Sequence, residues 1–170
     1  MIADTMKILV AILLSLLVAT ALSAAARRGP STPEERTRAI ELVRLLESEP
    51  WSDEAPAARD WLKKFIIEIP DLTVKHCLSL LGSKAEREGI PESLLFQSTF
   101  SNLAFLLENP GQSAGSTATF LAGIEGALRS YRASTEHASL EPVLRFEYLE
   151  GLRQGGDLEP YIRGKARHCR

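Results

Sequence analysis

The chain has 170 residues, with 20 Lys and Arg against 22 Asp and Glu, a net charge of −2 at neutral pH. That balance argues against a general nucleic-acid binder, which carries a strong basic excess.

The N-terminus has three parts. Lys7 precedes an uncharged apolar run over residues 8–22, and Ser23-Ala24-Ala25-Ala26 follows. A basic start, an apolar stretch and an A-x-A-like site make a secretory signal peptide, here residues 1–26 with cleavage near Ala25 or Ala26. Met6-Lys7 is a more typical start than Met1. The apolar run is short for a membrane span, which needs about 20 residues. Arg27-Arg28 then suits a mature N-terminus. The expectation is a secreted or periplasmic protein with no membrane span in its mature chain. Residues 27–170 are enough for one domain with its own core.

Helical periodicity runs through that domain. Thr32-Pro33-Glu34-Glu35 is a capping box with Pro at the first helical position. It opens a helix with Ala39, Ile40, Val43 and Leu46 on one face, ending before Pro50. Ala58, Trp61, Leu62, Phe65 and Ile69 form the stripe of a second helix, ending at Pro70-Asp71. Residues 65–69 are rich in β-branched side chains and could instead pair as a strand with residues 72–74. The longer stripe favours helix. Residues 72–81 read as a short third helix closed by Gly82, and residues 83–90 as a charged loop.

Pro91 starts a fourth helix that presents Phe96, Phe100, Leu103 and Leu107. The polar residues 109–116 interrupt it. The fifth helix carries Phe120, Leu121, Ile124, Leu128 and Tyr131. A sixth spans about residues 139–153, with Leu144, Tyr148 and Leu152 inward, and Gly155-Gly156 breaks it. A basic tail helix over residues 158–165 completes an all-α fold of about six helices.

Four groups of residues carry candidate chemistry. Gly111-Gln112-Ser113-Ala114-Gly115 matches G-x-S-x-G, with Asp157 and His168 following in hydrolase order. The motif needs a strand before it to hold the serine on a strained turn. Here a helical stretch and Glu108-Asn109-Pro110 precede it, and no HGGG-like oxyanion segment occurs. A helix–helix loop in which Ser113 or Ser116 caps the fifth helix is the better reading, with a small serine hydrolase using Ser113 as the alternative.

Cys77 and Cys169, an even count in an oxidising compartment, read as one disulfide. Each follows a histidine, so a zinc site from His76, Cys77, His168 and Cys169 is a further alternative. Neighbouring helix residues point about 100° apart, which disfavours one shared ion. Glu125, between Gly123 and Gly126, is expected to pair with Arg129 at i,i+4 while the glycines permit close helix packing. Arg163, Lys165, Arg167 and Arg170 make a basic C-terminal end, placed as a helix C-terminus prefers. The acids of the first two helices could attract it.

Trp61-Leu62, residues 70–74, Cys77-Leu78, Leu80-Leu81-Gly82, Glu108-Asn109-Pro110 and residues 122–131 together give a pattern that resembles a group of small exported bacterial proteins of unknown function. The similarity spans roughly residues 35–161. It implies an all-helical bacterial domain and carries over no activity, so no catalytic, cofactor-binding or metal-ligating residue is assigned. The expected function is non-catalytic binding of another protein, with no cofactor and no nucleic-acid partner.

Overall fold

The computed structural model describes residues 28–137 and 140–169. The signal segment 1–26 with both candidate start residues, Ser139 and Arg170 lie outside the described residues. Among those residues the chain is all-helical, with α1 Pro33–Ser48, α2 Ala55–Glu68, α3 Glu92–Glu108, α4 Thr117–His137, α5 Leu144–Gly155 and α6 Leu158–Ala166. Short 3-10 turns at Leu78–Leu81 and Ala85–Arg87 join α2 to α3, and no strand occurs among the described residues. None of these helices is long and apolar enough to cross a membrane.

Local sequence accounts for the first two helices. At the start of α1 the Glu35 amide donates to Thr32 Oγ1 at 3.2 Å, and the Thr32 amide donates to Glu35 Oε2 at 2.9 Å. Two of the helix's orphan N–H groups are satisfied this way. In α2 the residues Ala58, Leu62 and Phe65 are buried, followed by Ile69 at its C-cap. Helix therefore wins over strand at residues 65–68. The helical stripe packs four apolar side chains together and leaves Ile67 outside, 82% exposed.

Residues 72–77 depart from expectation: they form no helix, and only Leu78–Leu81 turns, as a 3-10 helix. A third α-helix was expected there. Asp71, which could have capped it, is committed elsewhere. Its carboxylate accepts from the Ser31 amide (2.9 Å), Ser31 Oγ (2.8 Å) and Arg36 Nη2 (2.7 Å), tying this segment to the start of α1. Asn102 Nδ2 in α3 donates to the Lys75 carbonyl at 3.1 Å, supplying a partner that a helix would have found internally. Gly82 ends the turn at φ 112°, a left-handed value that favours glycine, with ψ 178° rather than the geometry of a helix C-cap.

The hydrogen bond from the Ser31 amide, with those from Ser31 Oγ and Arg36, holds the Asp71 carboxyl at about 2, below its ordinary value of 3.8. A folded pKa below the unfolded one means stabilisation above pH ~4 that disappears as the pH falls toward 2. Thermal unfolding followed from pH 5 down to pH ~2 should lose stability through this window. Asp71→Asn should be less stable at neutral pH and show a shallower acid loss.

Helices α3 and α4 form the central pair. They join one core, made by α1, α2 and the middle of α3, to another made by the 3-10 turn, α4, α5 and α6. Their contact is close because the facing residues are small. A Cβ on Gly123 would lie 2.0 Å from Asn102 Oδ1 and 2.6 Å from the Ser98 carbonyl oxygen, and one on Gly126 would lie 2.0 Å from Ser101 Oγ. The glycines thus act as expected. The buried face of α3 is wider than the periodicity implies, because Gln97, Ser98, Thr99, Ser101 and Asn102 are covered along with Phe100 and Leu103.

Helix α5 corrects a second expectation. It starts at Leu144, and its inward side is Phe146 and Leu149; Leu144 is 86% exposed and Tyr148 50%. Two apolar lines compete on this short helix, and partners for its polar residues decide between them. Glu150 is buried against Arg132 (3.0 Å) and Arg153 (2.8 Å). Arg145 is buried against the 3-10 turn, while Phe146 packs on Tyr131 with ring centroids 4.9 Å apart. Turning Leu144 and Tyr148 inward would strand those groups.

Candidate functional site

A groove of about 870 Å³ lies between the 83–91 connection, the 140–143 connection, and the facing sides of α5 and α6. Its apolar wall includes Pro91, Pro142, Val143, Leu144, Tyr148 and Tyr161. Arg145 forms the joint beneath it. The guanidinium donates through Nε to the Leu81 carbonyl at 3.0 Å, and through Nη2 to the Leu80 carbonyl at 3.3 Å and to the Tyr161 hydroxyl. Nη1 lies 3.4 Å from Glu86 Oε1. Burying a charge is expensive unless it is paired and hydrogen-bonded, and here carbonyls at the end of the 3-10 turn meet that need. The cation also lies 4.9 Å from the ring centroid of Tyr148 and 5.4 Å from that of Tyr161, within cation–π range.

The opposite edge is held by Tyr131. Its hydroxyl donates to the Glu147 carboxylate and accepts from the Val143 amide at 3.1 Å. Burial first, and then the Glu147 bond, push its pKa up to about 12, so it stays protonated as a donor. The groove walls are therefore fixed on both sides, while Leu144 and Tyr148 project into solvent.

A second buried polar centre lies between α1, α3 and α4. Glu47 is 5% exposed and accepts from Arg44 Nη1 (2.9 Å), Ser101 Oγ (2.7 Å) and Arg129 Nε (3.0 Å). Burial pushes its pKa up, but the bonds from Arg129, Ser101 and Arg44 outweigh that and hold it below the ordinary carboxylate value. Arg44 also reaches Glu108 at 2.7 Å. A Cβ on Gly126 would come within 2.4 Å of Glu47 Oε1, so the small-residue contact makes room for the carboxylate. The centre is internally matched, and its role is to fasten three helices.

The residues singled out from sequence fall into place around these features. Gly111–Gly115 lies in a loop, with α3 and not a strand before it. Ser113 is exposed; its Oγ accepts from the Gly115 amide at 3.3 Å. Ser116 caps α4, accepting from the Thr119 amide at 3.1 Å. No hydrogen bond among the described residues links Ser113, Asp157 and His168. With no base to activate Ser113, a fluorophosphonate probe is expected to leave it unlabelled, and intact-protein mass spectrometry reads this directly.

Cys77 and Cys169 are joined as a disulfide, with Cα atoms 5.5 Å apart. The bond brings His76 and His168 to one small cleft, as the paired dipeptides imply, while using both sulfurs. His76 Nδ1 bonds with Thr99 Oγ1, and its ring stacks on Phe96 at 5.5 Å. Burial, with the charge of Arg87, lowers its pKa. Among the described residues no group of three or more His, Cys, Asp or Glu side chains is placed to hold a metal ion.

Arg129 corrects a third expectation: it turns to Glu47 on α1 and not to Glu125 on its own helix. The deeply buried Glu47 carboxylate attracts it more strongly than the half-buried Glu125 does. In the basic tail, Arg163 pairs with Glu159, and Lys165 Nζ sits 6.0 Å from the Tyr161 ring centroid. Helix α6 packs chiefly on α4, α5 and the 3-10 turn.

Comparison with known proteins gives no match to a family, a curated protein or a solved structure. Arg145 and Glu47 were not legible as site residues, because a lone charge in an amphipathic helix reads as solvated face. The one available signal was weak: Arg145 directly follows an apolar pair and precedes Phe146, so it borders the buried side whichever line faces inward.

Proposed function

We propose that the protein is an exported, non-catalytic binding module that recognises another protein through the α5–α6 groove. The observation that carries this reading is the contrast along α5. Arg145 is buried and fully engaged, while Leu144 and Tyr148 next to it are held outward, 86% and 50% exposed. An isolated exposed apolar residue is ordinary. Two large ones on the rim of the α5–α6 groove, above an ordered cation, make a surface that gains by being covered.

Export is supported by the residue pattern of positions 1–26 and by the disulfide, a bond that persists in oxidising compartments. The reading requires no cofactor. A photo-crosslinking residue at position 148 of the full chain, introduced in the producing cell, tests it. A reproducible crosslinked polypeptide, lost when Leu144→Asp is added, is the expected result. Crosslinks unaffected by Leu144→Asp, or none, would overturn the assignment of this groove.

A further inference from the structure

Resting on the groove assignment, we infer that the occupant is a basic-apolar segment of polypeptide: an aliphatic or aromatic side chain against Leu144 and Tyr148, with Lys or Arg beside it. The inference comes from which charges of the groove are already used. Arg145 is engaged by the Leu80 and Leu81 carbonyls, Tyr161 and Glu86. Glu86 in turn accepts from the Ser83 amide at 2.8 Å and has Arg145 beside it. These two groups cancel, and their bonding capacity is met internally.

Three charged side chains of the lining have no hydrogen bond or ion pair among the described residues: Glu88, Glu141 and Lys165. Lys165 already lies against the Tyr161 ring. The uncommitted charge of the groove is thus two carboxylates against one ammonium, with both acids exposed and carried by the two connections that flank the apolar wall. An acidic segment would meet like charge on both connections. A purely apolar one would cover the carboxylates without giving them a partner, which is unfavourable. A segment that pairs an apolar anchor with a cation matches both parts of the surface. The cation contributes chiefly to partner discrimination and association rate, and the apolar anchor to affinity.

Panning a phage-displayed library of random short peptides on the full disulfide-bonded protein tests this, with fluorescence anisotropy of the selected peptides on purified variants. The selected sequences should combine an apolar residue with Lys or Arg. Their binding should weaken at high salt, about fivefold or more in Glu88→Gln/Glu141→Gln, and about tenfold or more in Leu144→Asp. Circular dichroism confirms that each variant is folded. Peptides without basic residues, or equal binding to wild type and the Glu88→Gln/Glu141→Gln variant, would overturn the charge inference and leave the groove assignment standing. Binding untouched by Leu144→Asp, or no peptide selected at all, would overturn the inference together with the groove as a peptide site.

Discussion

Replacing Cys77 and Cys169 together by alanine is expected to destabilise the protein by about 3–4 kcal/mol. The two cysteines are 92 positions apart, so the bond closes a loop that holds α3 to α6, with α1 and α2 outside it, and restricts the unfolded ensemble correspondingly. In the folded state it joins the irregular segment 72–77 to the end of α6, two parts with little helical support of their own. The rest of α6 is held by Leu158 and Ile162, both buried, so the double variant should still fold. Urea denaturation of the variant beside the oxidised wild type is the measurement, with a lower midpoint and a modestly larger dependence on urea as the unfolded chain expands. A loss under 1 kcal/mol would mean that the unfolded chain keeps these segments close without the bond.

The second large effect is expected at Glu47. Glu47→Ala should cost about 2–3 kcal/mol, toward the lower end of what breaking a buried ion pair costs. The reason for the lower end is geometric. Arg44 and Arg129 are 42% and 40% exposed and can recover water when their partner goes, whereas Ser101 Oγ is buried and loses its acceptor. Glu47→Gln should fall between the two, because it keeps an acceptor for Ser101 but no charge for the arginines. The same carboxylate adds an acid-dependent contribution. With its folded pKa below the ordinary 4.5, its stabilisation is present above that value and lost as the pH falls below it. Glu47→Gln should therefore differ most from wild type near neutral pH and converge with it in acid, which chemical denaturation at a series of pH values reads.

Both effects depend on contacts between residues far apart in sequence, and this is where sequence reading and structure part. The capping box at Thr32, the stripe of α2, the loop at 109–116 and the apolar side of α4 were all legible, because each is written in neighbours three or four positions apart. A helix needs little more than such a period and a cap to declare itself. Residues 72–77 and α5 were not legible in the same way. The former carry a tolerable helical pattern, yet Asp71 is used by Ser31 and the Lys75 carbonyl by Asn102, contacts that hold the segment in an irregular form. On α5 the periodicity allows two inward faces, and only the carbonyls of Leu80 and Leu81, some 64 positions earlier, select the one that buries Arg145.

The sequence by itself determined an all-helical chain, the positions of its principal helices and loops, and the pair of cysteines available to bond. The tertiary structure decided which polar side chains are buried, and through them which apolar side chains are left outside. The physical reason is that a charged group enters the interior only where matching donors or acceptors await it. Those partners lie on other helices, so the groove with Leu144 and Tyr148 on its rim exists only once α5, α6 and the 3-10 turn have met.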